Sequence, residues 1–110
     1  MSLNLSHRED IPMYSSDRIA QLTGCGLLVF CPKTPGMNLL FKENEVVYYD
    51  QDDDLIEKIK YYAVHDEERM ATAKRGWERA HNSFNSQRVT RYILDTVFNE
   101  PHGEAYEWDV

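Results

Sequence analysis

The stretch Ser16-Asp17-Arg18-Ile19-Ala20-Gln21-Leu22-Thr23-Gly24-Cys25-Gly26-Leu27-Leu28-Val29-Phe30 decides the fold. It predicts a short helix over Asp17–Thr23, with Ser15 or Ser16 as its N-cap. Gly24 and Gly26 stop that helix. Leu27–Phe30 follows as a strand. Its apolar run is continuous rather than alternating, which predicts burial on both faces, as in a parallel sheet. A Gly/Pro loop, Pro32–Gly36, comes next. A helix, a buried strand and such a loop form a piece of an α/β sheet, where ligands bind at the carboxyl ends of the strands.

Outward from this stretch, Leu3–Ser6 reads as a weak first strand and His7–Ser15 as a polar loop containing Pro12. Asn38–Phe41 suits one helical turn. Val46–Tyr49 is rich in β-branched and aromatic residues and reads as the next strand. The chain then turns helical. Asp52, Asp53 and Asp54 open a helix with Leu55, Ile56, Ile59 and Tyr62 or Ala63 on one face. Asp66, Glu67 and Glu68 open a second, with Met70, Ala73, Trp77, Ala80 and Phe84 at core spacing. Asn85 or Ser86 caps a third, with Val89, Tyr92, Ile93 and Val97 on one face, ended by Pro101. The order β, α, β, short α, β, α, α, α predicts an α/β fold. It is a partial Rossmann-like three-layer unit: a short parallel sheet with helices, and a helical C-terminal half. The expected division is a folded unit over 1–100 and a tail over 101–110, onto which Tyr106 and Trp108 are able to pack back.

The 110 residues suffice for one domain. Nineteen acidic against twelve basic residues give a net charge of −7, which argues against nucleic acid as partner. An anionic ligand needs a local basic patch, for which Arg8, Arg18, Lys33 and Lys42 are candidates. No apolar run reaches the roughly 20 residues of a membrane span. The first residues are too short and polar for a signal peptide, and Cys25 and Cys31, about 20 Å apart along a strand, are too distant to pair. Free thiols and no leader predict a cytoplasmic protein. The four histidines and two cysteines show no metal-site spacing.

Several runs carry a resemblance: Leu3-Asn4-Leu5-Ser6, Ser16–Ile19, Gly24-Cys25-Gly26, Pro35–Phe41 and Glu45–Asp50. Further on come Asp54–Tyr62, His65–Arg69, Ala73–Gly76 and the helix from Gln87 to Phe98. Together, over roughly residues 3–98, they resemble the C-terminal part of a glycosyltransferase of the two-domain GT-B fold, family 1 type, in the subgroup of spore-maturation CgeB-like proteins.

That resemblance implies a half that binds a nucleotide-sugar donor, with the nucleotide-sugar as substrate and no further cofactor. The implied donor-binding residues are Tyr14, Arg18, Gln21, Gly26, Lys33, Pro35, Gly36 and Met37; no catalytic residue is implied. Gln21 stands where the family carries a glutamate on the ribose hydroxyls, and a neutral amide binds a hydroxyl less strongly than a carboxylate. The implied mechanism is glycosyl transfer to an unknown acceptor, with the diphosphate stabilised by Arg18, backbone amides and Lys33 rather than by a metal. A GT-B enzyme works in the cleft between two domains. The isolated chain is therefore expected to be inactive and to need an acceptor domain or a partner chain.

The residues taken singly have plainer readings too. Arg18 suits a diphosphate or a surface pair with Asp17, Asp10 or Glu9. Gly24 and Gly26 suit a helix stop or the close approach of a ligand. Tyr14 suits base stacking. Trp77 reads as core, Cys25 as a buried thiol, and His65 and His81 as surface or capping residues. The alternative function is a non-catalytic, degenerate glycosyltransferase-like module for oligomerisation or partner binding, with homo-oligomers promoted by exposed apolar edges. A receiver-like α/β domain fits less well, since Cys31 rather than an acid follows the central strand.

Overall fold

The computed structural model describes residues 1–4 and 17–109. The predicted loop, its Tyr14, the Ser15/Ser16 cap and the Leu5–Ser6 end of the first strand lie outside the described residues. The elements are β1 (Ser2–Leu3), α1 (Asp17–Gly24), β2 (Val29–Pro32), α2 (Met37–Leu40), β3 (Val47–Tyr49), α3 (Asp52–Val64), α4 (Asp66–Ser83) and α5 (Ser86–Val97). All three strands are parallel, in the order β1-β2-β3. Ser2 pairs with Val29 and Leu3 with Phe30, while Phe30, Cys31 and Pro32 pair with Val47, Tyr48 and Tyr49.

Every residue of β2 is buried, as its unbroken apolar run requires. Val29 and Cys31 point to a cluster with Ile19, Met37, Leu40, Phe41, Val46 and Ala80. Leu28 and Phe30 point to the other face, with Val47, Tyr49 and Ala73, against which Leu55 and Tyr62 pack. Helices thus cover both faces: α1 and α2 on one, α3 on the other, and α4 contributing to each. The fold is a partial Rossmann-like α/β unit.

β2 begins two residues later than the sequence suggests, because Gly26 and Leu27 belong to the end of α1. Gly26 is left-handed, with φ +83°. Its N–H reaches Thr23 O at 3.0 Å, and that of Leu27 reaches Leu22 O at 3.3 Å. These two bonds form a Schellman cap. Cys25 sits on that turn and is exposed, whereas Cys31 is the buried thiol.

α4 departs from the periodicity reading. Its buried face is a line of small residues, Thr72, Ala73, Gly76, Ala80 and Ser83, while Met70 is 67% and Trp77 44% exposed. The cause is close approach: a Cβ on Gly76 would lie 2.5 Å from the carbonyl oxygen of Glu45. Large side chains cannot enter that contact and lie to its flanks. His81 Nε2 lies 3.1 Å from Gly24 O at the end of α1, the capping one of its two readings, surface or capping.

α5 starts at Asn85, whose side chain accepts the Arg88 N–H at 2.9 Å. Its contacts come mainly from the residues after it. Arg88 lies over the rings of Tyr106 and Trp108 and pairs with Glu107 at 3.0 Å. Tyr92 stacks on His102, and Tyr106 is buried. Val89, Ile93 and Val97, expected as a packing face, remain exposed.

Candidate functional site at the carboxyl ends of the strands

β2 runs out at Pro32, and its continuation is held by the Lys33 N–H donating to Tyr49 O at 2.9 Å. The chain then turns through Thr34 and Pro35 to Gly36, whose φ of 78° places it in the left-handed region and starts α2. Between this turn and β3 lies a pocket of about 400 Å³ lined by Lys33, Thr34, Pro35, Gly36, Asn38, Glu43 and Tyr48. A second hollow of about 270 Å³ adjoins it, sharing Lys33, Glu43 and Tyr48 and adding Val47, Asp50, Lys58 and Tyr62.

The polar groups here are partly committed. Tyr48 donates its hydroxyl to Phe41 O at 2.5 Å. Burial, followed by nearby Cys31 and the carboxylates of Glu45 and Glu43, pushes its pKa well above the usual tyrosine range. Lys58 donates to Tyr48 O at 2.6 Å and to Asp54 at 3.1 Å. Asp54 also accepts the Asp50 N–H at 3.1 Å, and this bond together with Lys58 holds its carboxyl below the usual range. That leaves the Lys33 ammonium, the Thr34 hydroxyl, the Asn38 amide and the carboxylates of Glu43 and Asp50 to face a ligand. One cation among hydroxyl, amide and carboxylate groups suits a hydroxylated molecule with a negative group. Among the described residues no group of three or more His, Cys, Asp or Glu side chains is arranged to hold a metal ion.

A larger cleft among the described residues, about 600 Å³, lies instead along α5 between Asn85 and Leu94. Its most buried cation, Arg88, is already bound by Glu104, Glu107, Ser83 O and Ala105 O. The cleft is also wide open, so the smaller pocket at the strand ends is the better ligand site.

Of the residues singled out in the sequence, Lys33, Pro35 and Gly36 meet in this pocket. Met37 follows directly, but its side chain is buried in the core beside Val29 and Cys31. Arg18 and Gln21 lie exposed on α1. Gly26 stands at the opposite end of β2, in a different pocket, so the structure does not bring it to Lys33. Tyr14 lies outside the described residues. Sequence reasoning missed Asn38, Glu43, Tyr48, Asp50 and Lys58. The available signal was position: Tyr48 and Asp50 sit at the end of a predicted strand, the edge where α/β sheets bind ligands.

A family model described as glycosyl transferase-like matches residues 1–95. The chain belongs to the glycosyl transferase-like family. This membership connects it with glycosyl transfer in general. No curated protein and no solved structure matches the chain. No helix among the described residues is long and apolar enough to cross a membrane.

Proposed function

We propose that the chain is the C-terminal, donor-binding part of a GT-B glycosyltransferase of the CgeB-like kind, and that the pocket at Lys33–Gly36 holds the nucleotide-sugar. The observation that carries this reading is the pocket's place. It opens at the carboxyl end of a parallel sheet, in a chain of the glycosyl transferase-like family. Asn38, Thr34 and Glu43 face the sugar hydroxyls. Lys33 and Arg18 meet the diphosphate, where their charge offsets the negative charge that grows as the glycosidic bond breaks. Gln21 donates to, or accepts from, the ribose hydroxyls.

The isolated chain binds donor without turning it over, because the acceptor side of the cleft belongs to another domain or chain. Calorimetric titration with UDP-, GDP- and ADP-sugars tests this. One of them should bind saturably, with at least tenfold loss in Lys33→Ala. If none binds, the donor reading falls; if the isolated chain transfers sugar, the two-part reading falls.

One observation favours a second reading, a non-catalytic module for oligomerisation or partner binding. Val89, Ile93 and Val97 form an exposed apolar line along α5. Light scattering after size exclusion separates the readings: a tight oligomer indifferent to every nucleotide-sugar supports the module.

A further inference from the structure

At the end of the sheet opposite Lys33, a pocket of about 330 Å³ opens between the start of β2 and α4. Leu27, Met70 and Trp77 form its apolar wall, and each is more than a third exposed, at 38%, 67% and 44%. Gly26 forms part of the floor, with nothing within 4 Å of where its Cβ would stand. Two cationic side chains, Arg69 and Lys74, stand on the rim, Met1 also lines the pocket, and among the described residues no carboxylate side chain does. In a chain of net charge −7 that is a local inversion of sign.

Arg69 is anchored through one nitrogen only. Its Nη1 donates to Tyr62 O at 3.1 Å and lies 2.7 Å from Asp66, which leaves Nε and Nη2 without a partner among the described residues. Lys74 is exposed and has no ion pair among them. An apolar pocket with a few placed polar groups is the usual form of a small-molecule site. Arg69 and Lys74 flank the apolar wall on its two sides, and either the guanidinium fork or the ammonium matches a carboxylate. The Trp77 ring and the adaptable Met70 thioether match an aliphatic or aromatic body.

We propose that this pocket is a second binding site, for a small amphipathic carboxylate whose head meets the cationic rim of Arg69 and Lys74 at one side and whose apolar body lies against Met70 and Trp77. β2 separates it from Lys33, roughly 17 Å of extended chain from Leu28 to Lys33. It therefore takes no part in glycosyl transfer, and its test does not depend on the donor reading.

Amide NMR of the whole chain, titrated with octanoate and in parallel with octanol, tests the proposal. Octanoate should shift Gly26, Leu27, Met70 and the Trp77 indole N–H saturably. Octanol should bind at least tenfold more weakly. The exposed variant Lys74→Gln should weaken octanoate at least fivefold, with the rest of its spectrum unchanged. Trp77→Ala should abolish the shifts while the fold is retained. Equal affinity for octanol would overturn the proposal by reducing the pocket to an apolar groove. Shifts confined to other residues, or none that saturate, would overturn it outright. Sedimentation with phosphatidylglycerol vesicles in the absence of octanoate binding would also overturn it, in favour of a membrane surface.

Discussion

Two connections of the sheet differ sharply: the turn that leads into β3 and the turn that leaves β2. The first is closed from below by α4. Arg75 donates to Asn44 O at 2.7 Å, and Arg79 to Leu40 O and Leu39 O at 2.8 and 3.0 Å. Gly76 brings the helix backbone against Glu45 O. The second connection, Lys33–Gly36, has one backbone tether to β3 and an open pocket above it. Carbonyls that need donors receive them at the amino end of β3, while polar side chains without partners gather at the carboxyl end of β2. Helix donors thus concentrate on the turn into β3 and unpartnered polar side chains around Lys33–Gly36, with Glu43 reaching from the first to the second, so variants at Gly76 and Lys33 should separate stability from ligand binding.

The largest effect belongs to the closed end. Gly76→Val places side-chain carbon against a backbone carbonyl that cannot rotate away, and should cost about 2–3 kcal/mol in urea or thermal unfolding. A variant as stable as the parent would show that α4 is not in that close contact. Gly26→Ala comes next. Its left-handed backbone should cost a residue with a Cβ about 1–2 kcal/mol, although the space around it is empty. The same unfolding measurement checks it, and no loss would argue against the Schellman cap.

Tyr48→Phe should cost about 1 kcal/mol by leaving Phe41 O without its donor, and it carries a pH signature. The folded state raises the pKa of Tyr48, so its neutral form is favoured on folding. That contribution is complete below the ordinary tyrosine value of about 10 and is lost as the pH rises towards the folded value. Denaturation midpoints followed from pH 8 to 11 should therefore fall less steeply in Tyr48→Phe than in the parent; parallel curves would show that Tyr48 is not buried in this way. The smallest effect on stability belongs to the open end. Lys33→Ala should change unfolding by no more than about 0.5 kcal/mol while removing donor binding. A large loss of stability would mean that Lys33 holds the fold rather than a ligand.

Much of this architecture was legible in the sequence because its signals are local. The continuous apolar run Leu27–Phe30, the glycines after Thr23 and the acidic starts of α3 and α4 each mark an element without knowledge of its neighbours. The packing of α4 was not legible. Periodicity alone ranks Met70 and Trp77 as core, and only the contact with Glu45 O shows why the small residues hold that face. The pocket was half legible. Lys33, Pro35 and Gly36 lie along one loop, but Asn38, Glu43 and Tyr48 join them through the return of β3 beside β2, which a linear reading does not place. Gly26 was grouped with Lys33 through family resemblance, and the strand between them sets the two apart.

The most direct test of the central claim is a two-dimensional amide NMR titration with UDP-, GDP- and ADP-sugars. A donor site at the carboxyl ends of the strands predicts saturable shifts for one nucleotide, clustered at Lys33, Thr34, Gly36, Asn38 and Tyr48 and extending to Arg18 and Gln21, with Trp77 and Met70 unmoved. A well-dispersed spectrum that no nucleotide-sugar perturbs, or shifts centred on α4 instead, would contradict it.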